Sequence, residues 1–455
     1  MREFAFLDRV FASNAALPNS VLVPPGDDMA VVRVGRGTRE LVVSIGLHIA
    51  TENPQESVER EEQGVRAMRS ATAALALACG LGESPARVGV ASVVNLLAPA
   101  RLDMVAAEAF QTGLERGAHD ASTPLVGGDF AVFPGDSLLR ACVCAVAASD
   151  RPTQESGHAL DRHGAKATSC GSISIATDAL PDHELLVACD AAIEGRHAPL
   201  GCDPAVLARK AVLRNLSDVA AMGNARPIAI AAGLFAPDTC DAATIAAIER
   251  GLRETGARWG APLRALAIER EPRPIPLAVC VAVLAAKARA QVPVARRCDA
   301  RAGDGVYVTG SIGGAWDART GLGRHLDFEP RISAAHELVA TLGARLGAMI
   351  DVSDGLGRDL GHIAHASGVS IEVELSAVPV PDGVDAVAAI GHGEDYELAF
   401  TARGEVPRSV AGVPVTRIGT VCRDATAPGR VLVRSATREF DASLRGFEHE
   451  GQDPR

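Results

Sequence analysis

The hydrophobic and polar positions of the chain predict a series of strands and helices that occurs twice. The first occurrence contains two strands, GDDMAVVR and ELVVSIG, and then the long Ala-rich helical run VRAMRSATAALALACG. An apolar strand, a second helix near residues 103–118 and a last hydrophobic strand follow, and the second helix of the later occurrence lies near 241–256. Strands that alternate with helices in this way predict an α/β or α+β protein.

The two occurrences are copies of one unit. ELVVSIG from Glu40 is echoed by ELLVACD from Glu184, an offset of 184 − 40 = 144. After a slip of six residues the offset becomes 138, which places Cys142 on Cys280. The polar, breaker-rich stretch 151–169 between the copies is typical of a linker. The repeat ends near Arg297, where a different pattern of strands and helices begins.

This organisation predicts three domains joined in one chain. The expected boundaries are 1–150 for the first N-terminal-type domain, 151–169 for the linker, 170–296 for the second N-terminal-type domain and 297–455 for the C-terminal domain. A chain of 455 residues is also too long for a single core, since such cores stop growing at roughly 250 to 300 residues. We therefore expect two tandem α/β domains that form an internal pseudo-dimer, followed by one C-terminal α/β domain.

Composition and charge exclude several classes of function. The 56 Asp and Glu outnumber the 45 Lys and Arg, so the net charge of −11 gives no electrostatic reason to bind nucleic acid or an anionic membrane surface. No signal-like segment opens the chain and no apolar run is long enough to span a bilayer, which favours a cytoplasmic location. The ten cysteines include no C-x-x-C pair, so a zinc site is not expected, and buried reduced thiols explain Cys142 and Cys144.

The two copies differ in their acidic residues. The first copy has Asp28 and the run Gly127-Gly128-Asp129, where the second has Ile173 and Ala265-Leu266-Ala267. The second copy has Asp190 where the first has Gly46, Asp218 where the first has Ala74, and His197 in the run EGRH. Together the copies hold one full acidic set. This is expected of one composite site formed after duplication, although two decaying half-sites would give the same pattern.

Clustered aspartates in apolar, Gly-rich surroundings indicate a site for phosphoryl transfer. Carboxylates packed together repel one another unless they are protonated or bind a cation, and magnesium prefers oxygen ligands that it shares with phosphate. Metal ions then neutralise charge and align donor and acceptor, so that the protein needs no nucleophile. Gly127 and Gly128 would allow close approach of the backbone to a phosphate. No G-x-x-x-x-G-K-[ST] loop occurs, which disfavours an ordinary P-loop enzyme.

Several motifs resemble the thiamine-monophosphate kinases, a family of the aminoimidazole-ribonucleotide-synthetase-like ATP-binding superfamily. They include DVSDGLGRDLGHIAHASG from Asp351, RHLDFEPR from Arg324 and GHGEDYELAF from Gly391. RGFEH from Arg445, RKAVLRNLSDVAAMG from Arg209 and EFAFLDRVF from Glu3 also match. The resemblance implies ATP- and Mg²⁺-dependent phosphorylation of thiamine monophosphate to thiamine diphosphate, with several magnesium ions and ATP as co-substrate.

The resemblance also implies a role for individual residues. The metal ligands would be Asp28, Asp129, Asp190, Asp218, Asp351 and Asp354. ATP would be bound by Gly128, Asp129, Arg297 and Ser353, and Arg297 would offset the charge that develops during transfer. Thiamine monophosphate would contact His197, Glu394 and Phe447.

The chain departs from the family in two ways that leave alternatives open. Family members have one N-terminal domain and dimerise through it, whereas this chain has two such domains, so it could be a monomer with an internal pseudo-dimer or a weak homo-oligomer. Phe130, Ala131, Ala188 and Cys189 replace expected small hydroxyl residues, and His392 replaces a Gly. A catalytically impaired pseudokinase that binds nucleotide or thiamine phosphate, or another ATP-dependent enzyme of the superfamily, is the alternative.

Overall fold

The computed structural model describes residues 17–34, 40–50, 57–78, 89–99, 104–133, 138–149, 172–176, 183–289, 294–423 and 428–447. The predicted linker 151–169 and the motif that begins at Glu3 lie outside the described residues. The chain divides into two compact units. The first contains the described residues up to Asn215 together with Pro227–Ala288, and the second contains Leu216–Arg226 and the described residues from Arg289 onward.

The described residues form helices and strands in the predicted alternation. The helices are α1 (Ser57–Ala78), α2 (Met104–Asp120), α3 (Pro204–Ala221), α4 (Ala242–Arg258), α5 (Ile332–Leu342), α6 (Leu356–Ser367) and α7 (Ala386–Ala389). The strands up to the end of the repeat are β1 (Val21–Val23), β2 (Ala30–Arg33), β3 (Glu40–Ile49), β4 (Gly89–Pro99), β5 (Leu125–Phe133), β6 (Arg140–Ser149), β7 (Ser172–Ala176), β8 (His183–Ile193), β9 (Arg226–Pro237), β10 (Leu263–Glu271) and β11 (Ala278–Ala288). The later strands are β12 (Gly305–Thr309), β13 (Leu346–Asp351), β14 (Ser370–Glu374), β15 (Leu398–Ala402), β16 (Ser409–Val410), β17 (Val413–Cys422), β18 (Val431–Arg434) and β19 (Glu439–Asp441).

The first unit contains two sheets with matching strand orders. One sheet has the order β5-β4-β6-β3-β7, and the other, read from its far edge, has the order β10-β9-β11-β8-β2-β1. Each sheet carries the first strand of the other copy, because β2 pairs with β8 of the second copy and β7 pairs with β3 of the first. The copies are therefore joined by exchanged strands as well as by packing.

A hydrophobic core fills the space between the two sheets. On β3, Leu41, Val43 and Ile45 belong to this core together with Leu185 and Val187 of β8. The alternate residues of the first sheet, such as Val42, pack instead against helices α1 and α2. Strands that are buried on both faces read as nearly continuous apolar runs, which explains why ELVVSIG and ELLVACD lack a polar face. The predicted α/β fold class is confirmed. The domain boundaries and the internal pseudo-dimer stay predictions.

The second unit is built on an eight-stranded sheet. Its main path is β13-β15-β12-β17-β14-β18-β19, and β16 pairs with β17. A core that includes Val306, Ile350 and Leu360 joins this sheet to helix α6. The Leu216–Arg226 segment contacts the rest of the unit, because the carbonyl oxygen of Ala225 lies 2.9 Å from Nε2 of His336.

Two smaller expectations concern cysteines and membranes. Cys142 and Cys144 are buried and free, as predicted. None of the described helices is both long enough and apolar enough to cross a bilayer.

Candidate active site

Two predicted metal ligands meet in the second unit. Asp351 is the last residue of β13 and is buried, and Asp218 lies on the last turns of α3, within the Leu216–Arg226 segment. Each carboxylate offers an oxygen within 4.8 Å of the other. The hydroxyl of Ser217 donates to Oδ2 of Asp351 over 2.6 Å and so orients this carboxylate. Two oxygen ligands at this separation are suited to a magnesium ion.

The turn that follows β13 contains a second group of ligand atoms. Asp354, Asp359 and His362 each offer one atom, and these atoms lie within 4.8 Å of one another. The backbone N–H groups of Asp354 and Gly355 donate to Oδ2 of Asp359, over 3.2 and 3.0 Å. Gly355 has a φ of +124°, and a Cβ there would lie 3.1 Å from backbone atoms of Gly391 and His392, so glycine is needed at this position.

Electrostatics sets the charge of this second group. Burial raises the pKa of Asp359 well above its usual range, and the nearby carboxylates of Asp354 and Asp351 raise it further. Burial lowers the pKa of His362 to about 3, with Arg297 among the cations that contribute, so the imidazole is neutral at pH 7. The guanidinium of Arg297 opposes the rise at Asp359, so this predicted ATP-binding residue acts on both Asp359 and His362.

The predicted substrate residues Glu394 and Phe447 are tied to the same turn by backbone hydrogen bonds. The N–H of Glu394 donates to the carbonyl of Ser353 over 2.6 Å, and the N–H of Phe447 donates to the carbonyl of Asp354 over 2.8 Å. The N–H of Tyr396 donates to the carbonyl of Val352 over 2.8 Å. The second unit therefore brings together residues predicted to bind metal, nucleotide and substrate.

Glu394 lies in a strained segment that other side chains hold in place. Glu394 and Tyr396 have φ values of +67° and +53°, in the left-handed region that side chains other than glycine rarely adopt. Nδ1 of the buried His325 lies 3.3 Å from Oε2 of Glu394. The rings of Phe328 and Tyr396 stack with centroids 3.9 Å apart and planes 6° apart.

Two ion pairs fix the residues on either side of Tyr396. Arg324 donates to Oδ1 of Asp395 over 2.7 Å, and the N–H of Gly313 donates to both oxygens of that carboxylate. Burial raises the pKa of Asp395 to about 7, although Gly313 and Arg324 oppose the rise. Arg331 donates to both oxygens of Glu397, over 2.7 and 2.6 Å. The motifs RHLDFEPR and GHGEDYELAF thus form one structural element.

No individual role was predicted for several of these residues, which are Arg324, His325, Phe328, Arg331, Asp359 and His362. Asp359 and His362 lie in the quoted motif that begins at Asp351, and their spacing of three along α6 places both on one face of the helix. His325 lies in a quoted motif, but its contact with Glu394 joins residues 69 positions apart (394 − 325 = 69), which spacing alone does not reveal.

The first unit contains the other predicted site residues. Asp28 is buried two residues before β2, and β2 lies beside β8, which carries Asp190. Asp129 and Asp190 both raise the pKa of the buried Cys189 thiol, after burial itself, so acidic residues of the two copies lie near the same side chain. At Gly128 a Cβ would lie 2.5 Å from the carbonyl oxygen of Val94, which only glycine avoids.

Asp190 and His197 have well-defined partners within this unit. The guanidinium of Arg214 lies against the Asp190 carboxylate, with Nε 2.9 Å from Oδ2 and Nη2 3.1 Å from Oδ1. Nδ1 of the buried His197 accepts the N–H of Ile193 over 2.9 Å, and its carbonyl accepts the ammonium of Lys210. The proposed substrate role of His197 stays a prediction.

Known proteins that are similar to this chain indicate the class of protein to which it belongs. Residues 170–285, which cover most of the second copy, match the family model described as AIR synthase related protein, N-terminal domain. The chain is 35% identical over 167 residues to a thiamine-monophosphate kinase of Rhodopirellula baltica, covering 34% of this chain and 50% of that one. It is 33% identical over 279 residues to a thiamine-monophosphate kinase of Salmonella typhimurium, covering 54% of this chain and 81% of that one.

These similarities also define the family. The chain belongs to the thiamine-monophosphate kinase family. A crystal structure of thiamine-monophosphate kinase from Stenotrophomonas maltophilia aligns with a TM-score of 0.46 and 28% identity, covering 55% of this chain and 85% of that one.

Proposed function

We propose that the chain transfers the γ-phosphoryl group of ATP to thiamine monophosphate and releases thiamine diphosphate and ADP. A phosphate oxygen of thiamine monophosphate forms the new bond to the γ-phosphorus, and the bond from that phosphorus to the β,γ-bridging oxygen breaks. The observation that carries the proposal lies in the second unit, where the N–H groups of Glu394 and Phe447 donate to the carbonyls of Ser353 and Asp354. These bonds connect two predicted substrate residues to the turn that contains the predicted metal ligand Asp354.

The described residues supply what this transfer requires. Asp218 and Asp351 present an all-oxygen pair that suits magnesium, and Asp354 lies in the adjacent turn. A magnesium ion held there would neutralise phosphate charge and help to align the two phosphates. Arg297 offsets charge on the transferring group. Asp28, Asp129 and Asp190 of the first unit stay predicted ligands, and Gly128 a predicted phosphate contact, on the strength of the family resemblance.

Turnover and binding together test this function. Purified protein is incubated with ATP, Mg²⁺ and thiamine monophosphate, and thiamine diphosphate is measured by chromatography. ATP binding is measured in parallel by calorimetry. Product formation that disappears on removal of Mg²⁺ with a chelator supports the proposal. Tight ATP binding without product supports the pseudokinase alternative, which the pairing of Asp190 with Arg214 favours.

We further propose that the protein is a cytoplasmic monomer. The packing of the two copies through one core in the first unit supports an internal pseudo-dimer in place of an intermolecular one. Light scattering during size-exclusion chromatography should give a mass near 47.0 kDa. A mass close to twice this value would contradict the proposal.

Glu394→Gln is expected to raise the KM for thiamine monophosphate about tenfold or more, with a smaller effect on the KM for ATP. The substrate carries a thiazolium cation, and a charged hydrogen-bond or ion-pair partner contributes roughly 1.5 to 3 kcal/mol. Steady-state kinetics with each substrate varied in turn measure the effect.

His325→Gln should shift the same KM in the same direction by a smaller factor, because His325 acts through Glu394. The exposed Glu405→Gln is the matched control and should leave both KM values unchanged. An equal rise in the two KM values of Glu394→Gln would contradict a specific role in binding thiamine monophosphate.

A further inference from the structure

The Asp190 carboxylate of β8 is held by a cation of its own chain. Both oxygens of Asp190 face the guanidinium of Arg214, over 2.9 and 3.1 Å, and the two side chains are only 17% and 13% exposed. Nη1 of Arg214 also donates to the carbonyl of Ala191. Asn215, the next residue on α3, donates to the carbonyl of Asp190 over 3.3 Å. The guanidinium is therefore fixed to the strand as well as to the carboxylate.

The corresponding positions of the first copy lack both members of this pair. At the offset of 144, Asp190 corresponds to Gly46 and Arg214 to Ser70 (190 − 144 = 46; 214 − 144 = 70). A Cβ on Gly46 would lie 2.2 Å from Oγ of Ser70, so the space that holds the ion pair in one copy is closed in the other. The acid and the cation are thus present together or absent together, as expected if they work as a pair.

We infer that Arg214 is the fixed counter-ion of Asp190, so that a divalent cation binds this carboxylate only in competition with the guanidinium. The inference rests on the proposed function in so far as Asp190 is a metal ligand there. The guanidinium donates to Oδ1 of Asp190, lies 2.9 Å from Oδ2, and supplies a full positive charge that does not titrate. It therefore orients Asp190 and weakens binding of free metal at the same time.

Binding of Mn²⁺ in the absence of nucleotide tests this inference. Free Mn²⁺ is measured by electron paramagnetic resonance during titration of the full chain. Arg214→Gln is expected to bind Mn²⁺ about tenfold more tightly than the wild type at one site, because the competing charge is gone. Asp190→Asn in the wild-type background should leave the isotherm nearly unchanged, and Asp190→Asn combined with Arg214→Gln should lose the gain.

Matched variants test whether the change in Mn²⁺ binding is specific to the pair of Arg214 and Asp190. Arg253→Gln removes an arginine that pairs with Glu249 on the surface of the same unit, and it should leave Mn²⁺ binding unchanged. Arg214→Lys keeps the positive charge without the fork and should give a smaller gain than Arg214→Gln. Circular dichroism confirms that each variant is folded. If Arg214→Gln does not fold, Arg214→Lys and Asp190→Asn decide the question.

Two outcomes would overturn the inference. One is an Mn²⁺ isotherm of Arg214→Gln, or of Arg214→Lys in its place, that coincides with the wild type. The other is the loss of a tight Mn²⁺ site in Asp190→Asn alone, which would mean that Asp190 already binds metal beside Arg214. Neither readout involves turnover, so failure to form thiamine diphosphate would refute the proposed function without affecting this test.

Discussion

Asp218→Asn is expected to lower kcat for the formation of thiamine diphosphate about a thousandfold, equivalent to about 4 kcal/mol of transition-state stabilisation. The oxygens of Asp218 and Asp351 lie within 4.8 Å of each other, and one oxygen of Asp351 already accepts the Ser217 hydroxyl. An amide at position 218 removes one of the two negative charges of this pair. Since Asp218 is only partly buried on a helix, the fold should persist.

Two control variants provide the comparison for the kcat of Asp218→Asn. Ser217→Ala removes one hydrogen bond to Asp351 and should lower kcat by about tenfold or less, because such a bond to a charged group contributes roughly 1.5 kcal/mol or somewhat more. The exposed Asp382→Asn, in the same unit, should behave as the wild type. Raising the Mg²⁺ concentration should partly restore Asp218→Asn. A kcat within tenfold of the wild type at ordinary Mg²⁺ would remove Asp218 from the site.

The sequence predicted the parts of this protein that repeat or that follow a local period. The helices predicted near 103–118 and 241–256 are Met104–Asp120 and Ala242–Arg258 in the structure. The offset of 144 correctly placed β3 on β8, because both strands are buried on two faces and have the same apolar pattern. The exchange of β2 and β7 between the sheets was not predicted, since strand pairing between distant segments leaves no signal in periodicity.

The residues of the candidate site were also predictable only in part. Asp351, Ser353 and Asp354 were identified because they stand together in one motif, and the resemblance gave each a role. Arg214 was also inside a quoted motif, but its pairing with Asp190 depends on the packing of a helix against a strand 24 residues earlier (214 − 190 = 24). Residues whose role is a contact with a distant side chain are recognised only when the fold brings the two together.

Arg140 and Glu271 form such a contact between the two sheets of the first unit. Arg140 begins β6, Glu271 ends β10, and both are buried. Nε and Nη2 of Arg140 lie 2.5 and 2.7 Å from the two oxygens of Glu271, and the guanidinium lies 4.2 Å from the ring centroid of Phe133. At the offset of 138 the equivalents are Ala278 for Arg140 and Phe133 for Glu271. The pair therefore forms only between unlike copies.

This asymmetry bears on the choice between internal and intermolecular pairing. If the first copies of two chains paired with each other in the same way, Arg140 would meet Phe133 of the second chain in place of Glu271, and a buried charge would lose its partner. An unpaired buried charge costs several kcal/mol, so the ion pair opposes that arrangement. It favours the association of a first copy with a second copy over that of two first copies.

Arg140→Met is expected to lower the free energy of unfolding of the first unit by about 3 to 5 kcal/mol, because Glu271 is left buried without its counter-ion. Arg140→Met combined with Glu271→Leu should recover most of this loss, since two apolar side chains replace the pair.

Urea unfolding followed by Trp259 fluorescence in a Trp316→Phe background reports on this unit alone, because Trp259 is in the first unit and Trp316 in the second. Arg253→Met, which breaks an exposed pair in the same unit, should cost only about 0.5 kcal/mol. A double variant no more stable than Arg140→Met would show that packing around Arg140, and not the charge left on Glu271, accounts for the loss.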